Sequence, residues 1–241
     1  MLGRLPLFAR NQGLIRSLPW SLLLLPGGYN GSGTWTGTAS AGTSGSTNLV
    51  DSGSNPPGLT SNYATFNGST QLIISTLNVA TLIAQAGSTI ISIVRFHATG
   101  PTGDNAIPNL GMYLGQGNNA FGLVHGADTT DGVKFYAPNS SNSSVATAKS
   151  AVTLNTWYMH IGRWTGGADR SRLNTTDATD GTLSGGAGSN VTALASLLIG
   201  RSSGSNYQNM DLRFVAIAPS IISDADCTSI YNEAVGQGWL T

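Results

Sequence analysis

A chain of 241 residues is long enough for one large all-β domain with a single core, and only 9% of it is charged, Gly 32 and abundant Ser, Thr and Asn taking the place of charge. Lys plus Arg (11) balance Asp plus Glu (11), which leaves no net field to attract nucleic acid or an anionic membrane, and the low charge suits a subunit held inside a larger assembly or, equally on composition, an ordinary neutral soluble domain. The sole cysteine, Cys227, excludes an internal disulfide or a thiolate cage, and His97, His125 and His160 stand on separate segments without HxH or HExxH spacing, so no transition-metal centre is predicted.

Residues 1–28 mix Leu, Phe, Ile and Trp with Arg and carry Pro6, Pro19 and Pro26, with neither helical nor strand period. Arg4, Arg10 and Arg16 ahead of Leu22–Leu25 mimic a secretion signal, but prolines flank the run, no A-x-A cleavage motif follows, and the run is too short to span a bilayer. The segment is expected to be an unprocessed, extended arm that must bury Leu2, Leu5, Phe8, Leu14, Trp20 and Leu22 on its own domain or on a neighbouring subunit, the neighbour being the favoured reading. Residues 29–57 read as linker or edge loops with short strands around Thr34–Thr38 and Asn48–Val50, and residues 58–241 as the folded body.

In the body, short β-rich runs alternate with Gly, Asn, Asp and Ser clusters. The predicted strands are Ala64–Phe66, Gln71–Ile74, Thr89–His97, Gly111–Leu114, Phe121–His125, Val133–Tyr136, Trp157–Trp164, Leu197–Ile199 and Leu212–Ala218. These exceed one flat sheet and point to an all-β, two-sheet antiparallel sandwich. In the last strand Leu212, Phe214, Ala216 and Ala218 should face one side and Arg213, Val215 and Ile217 the other, making it a central strand covered twice. Thr76–Ala86 reads as helix against its own β-branched Val79, Thr81 and Ile83. A terminal helix follows Ser223, which forms a capping box with Asp226 while Ile222 staples onto Cys227. Cys227, Ile230, Tyr231, Ala234 and Val235 form its apolar stripe, and Gly236 and Gly238 end it.

Three stretches carry a resemblance. They are Ala64-Thr65-Phe66-Asn67-Gly68-Ser69; Leu154 to Trp164 with its Trp157-Tyr158 pair and the following Gly166-Gly167; and Leu197-Leu198-Ile199-Gly200-Arg201 through Met210 to Ala218 and the terminal helix. In order and spacing they resemble the concanavalin A-like lectin/glucanase superfamily, in particular laminin G-like domains of bacteriophage virion proteins. The resemblance implies a jelly-roll sandwich, and the arm is similar to segments that anchor phage decoration and fibre proteins. The expected role is a capsid decoration or head-fibre protein, made in the bacterial cytoplasm, contacting other virion subunits and copies of itself. The alternative is a tail or tail-fibre component, or a module that binds host-surface glycan.

Glycan-cleaving members of that superfamily need paired carboxylates on one strand. Here Glu233 is the sole glutamate and lies in the terminal helix, while Asp169, Asp177 and Asp180 fall in a stretch read as a Gly-rich loop; with no G-x-S-x-G elbow either, the chain is expected not to be an enzyme. His160 is expected to be a hydrogen-bonded structural histidine. Asp169, Asn174, Asp177 and Asp180 offer oxygens to Ca²⁺, but solvated surface carboxylates are the stronger reading of the aspartates, and no other cofactor is implied. For glycan, Tyr113, Tyr136 and Tyr207 supply rings and Asn118 and Asn206 polar partners.

Overall fold

In the computed structural model the described residues are 13–38, 49–50, 56–69, 73–74, 82–84, 86–98, 107–113, 120–125, 133–138, 144–148, 152–164, 168–182, 196–200 and 208–241. The strands are β1 (Leu22–Tyr29), β2 (Thr34–Thr38), β3 (Leu49–Val50), β4 (Gly58–Thr60), β5 (Tyr63–Asn67), β6 (Ile73–Ile74), β7 (Ser88–Phe96) and β8 (Ile107–Tyr113). They continue with β9 (Ala120–His125), β10 (Val133–Pro138), β11 (Ser144–Ala148), β12 (Trp157–Trp164), β13 (Ala168–Leu173), β14 (Thr176–Thr182), β15 (Ser196–Ile199) and β16 (Asn209–Ala218). Helices α1 (Gly13–Ser17) and α2 (Asp224–Gly236) stand near the two ends.

The strands pair in the order β11-β10-β9-β8-β15-β6-β3-β2-β1-β16-β7-β12-β13-β14, with β5 beside β16 and β4 beside β5. This ribbon doubles over so that β11 returns to β14 and β10 lies over β12 and β13, giving the expected antiparallel β-sandwich. The inner core between the layers takes alternate residues such as Ile90, Val94, Phe96, Phe135 and Trp164. Gly162 of β12 is required there, because a Cβ on it would lie 2.2 Å from the Phe135 ring of β10. The other residues of the same strands, Ile91, Ile93, Met159, Ile161 and Phe214, form a second core beneath α1 and α2.

Strand β16 is indeed buried on both faces, but its alternation changes phase. Leu212 joins Val215 and Ile217 in the inner core, because the register against β7 passes from Leu212↔Val94 to Phe214↔Ile93 and leaves Arg213 as an extra residue. This β-bulge corrects the prediction that Leu212 shares a side with Phe214. One edge of β16 is divided, its first half pairing with β5 and its second with β1.

The terminal helix forms as its sequence predicts. Ser223 Oγ accepts from Asp226 N at 3.1 Å, and Cys227, Ile230 and Ala234 are buried while Val235 is exposed. At its end Trp239 N donates to Ala234 O and Gly238 N to Val235 O, both at 2.9 Å, with Gly238 at φ +69, a paired closure that favours glycine. The described part of residues 76–86, 82–84 and 86, is turn rather than helix, and Leu82 and Ile83 bury in the inner core.

The leading segment corrects the sequence reading most. Far from extending to a neighbour, residues 13–28 complete this domain: Trp20 and Leu22 are 2% and 0% exposed, and Leu14 packs against the outer core. Leu22, Leu23 and Leu24 pair with Ile217, Ala216 and Val215 of β16, so they fill both cores at the middle of the sheet. Pro26 is tolerated because it lies beyond the last of these pairs and within the irregular step of β1 against β2. Glu233 Oε2 accepts from Ile15 N at 3.1 Å, which ties α1 to α2, while Trp20 Nε1 donates to Ile15 O within the leading segment. Residues 29–57 likewise are not a linker alone, since β2 and β3 pair within the sheet as the predicted short strands. Leu2, Leu5 and Phe8 lie outside the described residues.

Candidate functional site

On the helix-bearing face of β7, Ile91 and Ile93 are buried, and the next residue on that side is Arg95. It stands directly opposite Trp157 of β12 and Asp211 of β16, so three adjacent strands present an aromatic ring, a cation and a carboxylate in one row. Arg95 Nε and Nη2 donate to Asp211 Oδ2 at 2.9 and 2.5 Å, and Nη2 also donates to the Tyr63 hydroxyl of β5 at 3.1 Å. His97 Nε2 reaches the same Asp211 oxygen at 2.8 Å, while its Nδ1 lies 2.8 Å from Asn155 Oδ1. Asn155 is held in place by its own left-handed backbone, φ 61, and by its N–H donating to Phe96 O at 2.7 Å.

The bulged Arg213 completes the group. Its guanidinium carbon lies 4.1 Å from the Trp157 ring centroid and 5.4 Å from that of Tyr63, and Arg95 lies 4.8 and 5.3 Å from the same two rings. Arg213 Nη1 donates to Trp239 O and Gly238 O at 2.7 and 3.1 Å, fastening the end of the chain. Burial works to lower the pKa of Arg95, but hydrogen bonding and attraction to Asp211 outweigh it and the pKa is raised; burial, aided by the Arg95 charge, lowers that of Arg213. Asp211 is 2% exposed, and Arg95 and His97 are about a quarter exposed, at 25% and 27%. Arg95 Nη1 and Arg213 Nη2 have no hydrogen-bond partner among the described residues and, unlike Arg213 Nε, are not buried. With both ring nitrogens of His97 engaged, the arrangement is a pre-positioned set of donors suited to recognising an acceptor.

The sequence-predicted site residues fall elsewhere. Tyr113 ends β8 and Tyr136 lies in β10, with their side chains outside the described residues; Tyr207, Asn118 and Asn206 lie outside altogether. Asp169 is in β13, and Asp177 and Asp180 are in β14, which corrects the reading of these aspartates as loop residues. Asn174 Oδ1 accepts from Met159 N at 3.0 Å. Among the described residues no group of three or more His, Cys, Asp or Glu is arranged to hold a metal. His160 is fully buried with Nε2 2.9 Å from Ser171 Oγ, the structural histidine expected. The row itself was missed, since Arg95, Trp157 and Asp211 lie far apart in the chain and only strand register brings them together. Its one available signal was a charged residue closing the apolar run of β7.

No protein-family model matches the chain, and no curated protein matches it in sequence. Solved structures do. The Trypanosoma rangeli sialidase in complex with sialic acid superposes with a TM-score of 0.64 at 12% identity, over 87% of this chain and 32% of the sialidase chain. The receptor binding domain of botulinum neurotoxin C/D mosaic serotype gives 0.62 at 12% identity, over 89% of this chain and 51% of the other. The binding domain of botulinum neurotoxin serotype D gives 0.57 at 13%, over 91% and 51%. The chain thus spans about a third of the sialidase and half of the neurotoxin chains, and the likeness shows the fold alone, a β-sandwich. It also corrects the expectation that the chain is not an enzyme, because sialidases share the fold; at this identity no activity is thereby established.

Proposed function

We propose that this chain is a carbohydrate-binding module of lectin-like fold displayed on a bacteriophage particle. The observation that carries the binding half is the row on the helix-bearing face. A protein with only 9% charged residues gathers Arg95, Arg213, Asp211 and His97 against Tyr63 and Trp157, leaving unpaired guanidinium donors at the surface. The fold likeness to receptor-binding domains supports the same reading. A glycan array probed with the whole chain, followed by melting in the presence of each hit, tests it. A native-state ligand raises the melting temperature, and silence across bacterial surface glycans sinks the proposal. Assaying each hit for turnover separates binding from cleavage.

The virion half rests on the laminin G-like resemblance and on the near-absence of charge that suits a lattice-held subunit. In this reading the chain contacts capsid or tail subunits and its own copies. In this reading Leu2, Leu5 and Phe8, ahead in sequence of the segment that closes the sheet, take part in attachment. Labelling intact particles with an antibody to the sandwich decides among capsid face, vertex and tail, and absence from purified particles refutes the role.

A further inference from the structure

We infer that the row on the helix-bearing face takes a carboxylate-bearing sugar, its acid group bridging Arg95 Nη1 and Arg213 Nη2; the inference rests on the carbohydrate-binding reading above. Two guanidiniums sit over one indole ring, 4.8 and 4.1 Å from its centroid; Asp211 stands against Arg95, and Thr241 O lies 3.5 Å from Arg213 Nη1. The repulsion felt by Arg213 from Arg95 is relieved by an anion bound between them. The aromatic surface beneath is already covered. Trp157 is 6% exposed, so a sugar cannot stack on it, and selection passes to the polar groups at the rim.

Those groups are fixed in advance. Asp211 holds Arg95 through Nε and Nη2, which turns Nη1 away from that carboxylate, while the carbonyls of Gly238 and Trp239 hold Arg213 through Nη1 and leave Nη2. One free N–H edge from each of two held guanidiniums suits the two oxygens of a carboxylate. The exposed Asn155 and the half-buried Tyr63 hydroxyl flank them and are placed for sugar hydroxyls.

The test titrates the whole chain, by calorimetry and by amide NMR shifts, with sialyllactose, an oligogalacturonate, a sulfated disaccharide and neutral lactose, at low and at 0.3 M salt. The expected result is that a carboxylated sugar binds at least about tenfold more tightly than lactose, and that this advantage shrinks with salt. Arg213→Met and Arg95→Lys should each lower that advantage about tenfold, with shifts centred on residues 63, 95, 155 and 213. Because Arg213 also fastens the chain end, melting curves accompany both variants, and Arg95→Lys keeps the test valid should Arg213→Met fail to fold. Equal affinity for lactose and the acidic sugars, or preference for the sulfated one, overturns the carboxylate assignment and leaves the carbohydrate reading standing. Unchanged affinity in a folded variant overturns the site. Failure of all four sugars to bind overturns the acidic-sugar assignment, while the glycan array decides the carbohydrate reading separately.

Discussion

The two cores of this protein are built from the same strands but close in different ways. The inner core is a contact of sheet with sheet, in which Phe135 on β10 meets Gly162 on β12 and strands such as β1, β7, β12 and β16 contribute residues. The outer core is a contact of sheet with helix, and its cover comes from the two ends of the described chain, α1 with Trp20 and α2 with Ile230. Repeated strand chemistry specifies the first. The second depends on short segments arriving from far apart in sequence and held by single contacts such as Glu233 to Ile15 N.

The comparison can be broken at its joint, since β1 supplies both cores. Deleting residues 1–28 removes Leu22 and Leu24 from one core and Ile15, Trp20 and Leu23 from the other, and strips the second half of β16 of its neighbour. Buried losses of several kcal/mol each against a total of about 5–15 kcal/mol should abolish cooperative folding altogether. Circular dichroism melts of the truncated chain check this, and a sharp transition would restore the independent arm. A finer cut addresses the inner core alone: Gly162→Ala drives a methyl into the Phe135 ring and should cost about 1–3 kcal/mol in urea unfolding, with Phe135→Leu recovering part of it. The smallest effect belongs to the outer layer, where Ser223→Ala removes the α2 cap and should cost about 1 kcal/mol in the same measurement.

What could be read in advance follows the same division. Strand β12 emerges at its predicted bounds, and β7 and β9 within one residue, because their β-branched and aromatic residues bury on two faces or carry a clear period. Strands β13 and β14 were read as loop because they bring Asp, Arg, Ser and Thr to the end of the sheet, where polar residues are ordinary and leave little apolar alternation. Helix α1 and β1 were hidden by Pro19 and Pro26, both of which lie where no pair with β16 is needed. The candidate site was illegible for a third reason. Arg95 pairs with Trp157 and Asp211 only through register, and Arg213 joins them only because the bulge turns it.

The pairing of β1 with β16 also has a consequence for how the chain is made. Leu22 lies against Ile217, so an early strand has to wait on the ribosome until one of the last has emerged, and its leucines stay wet through most of synthesis. Contacts so distant in sequence make for slow closure. The cell must therefore shield that strand, by chaperone or by speed of translation, for as long as its mate is missing.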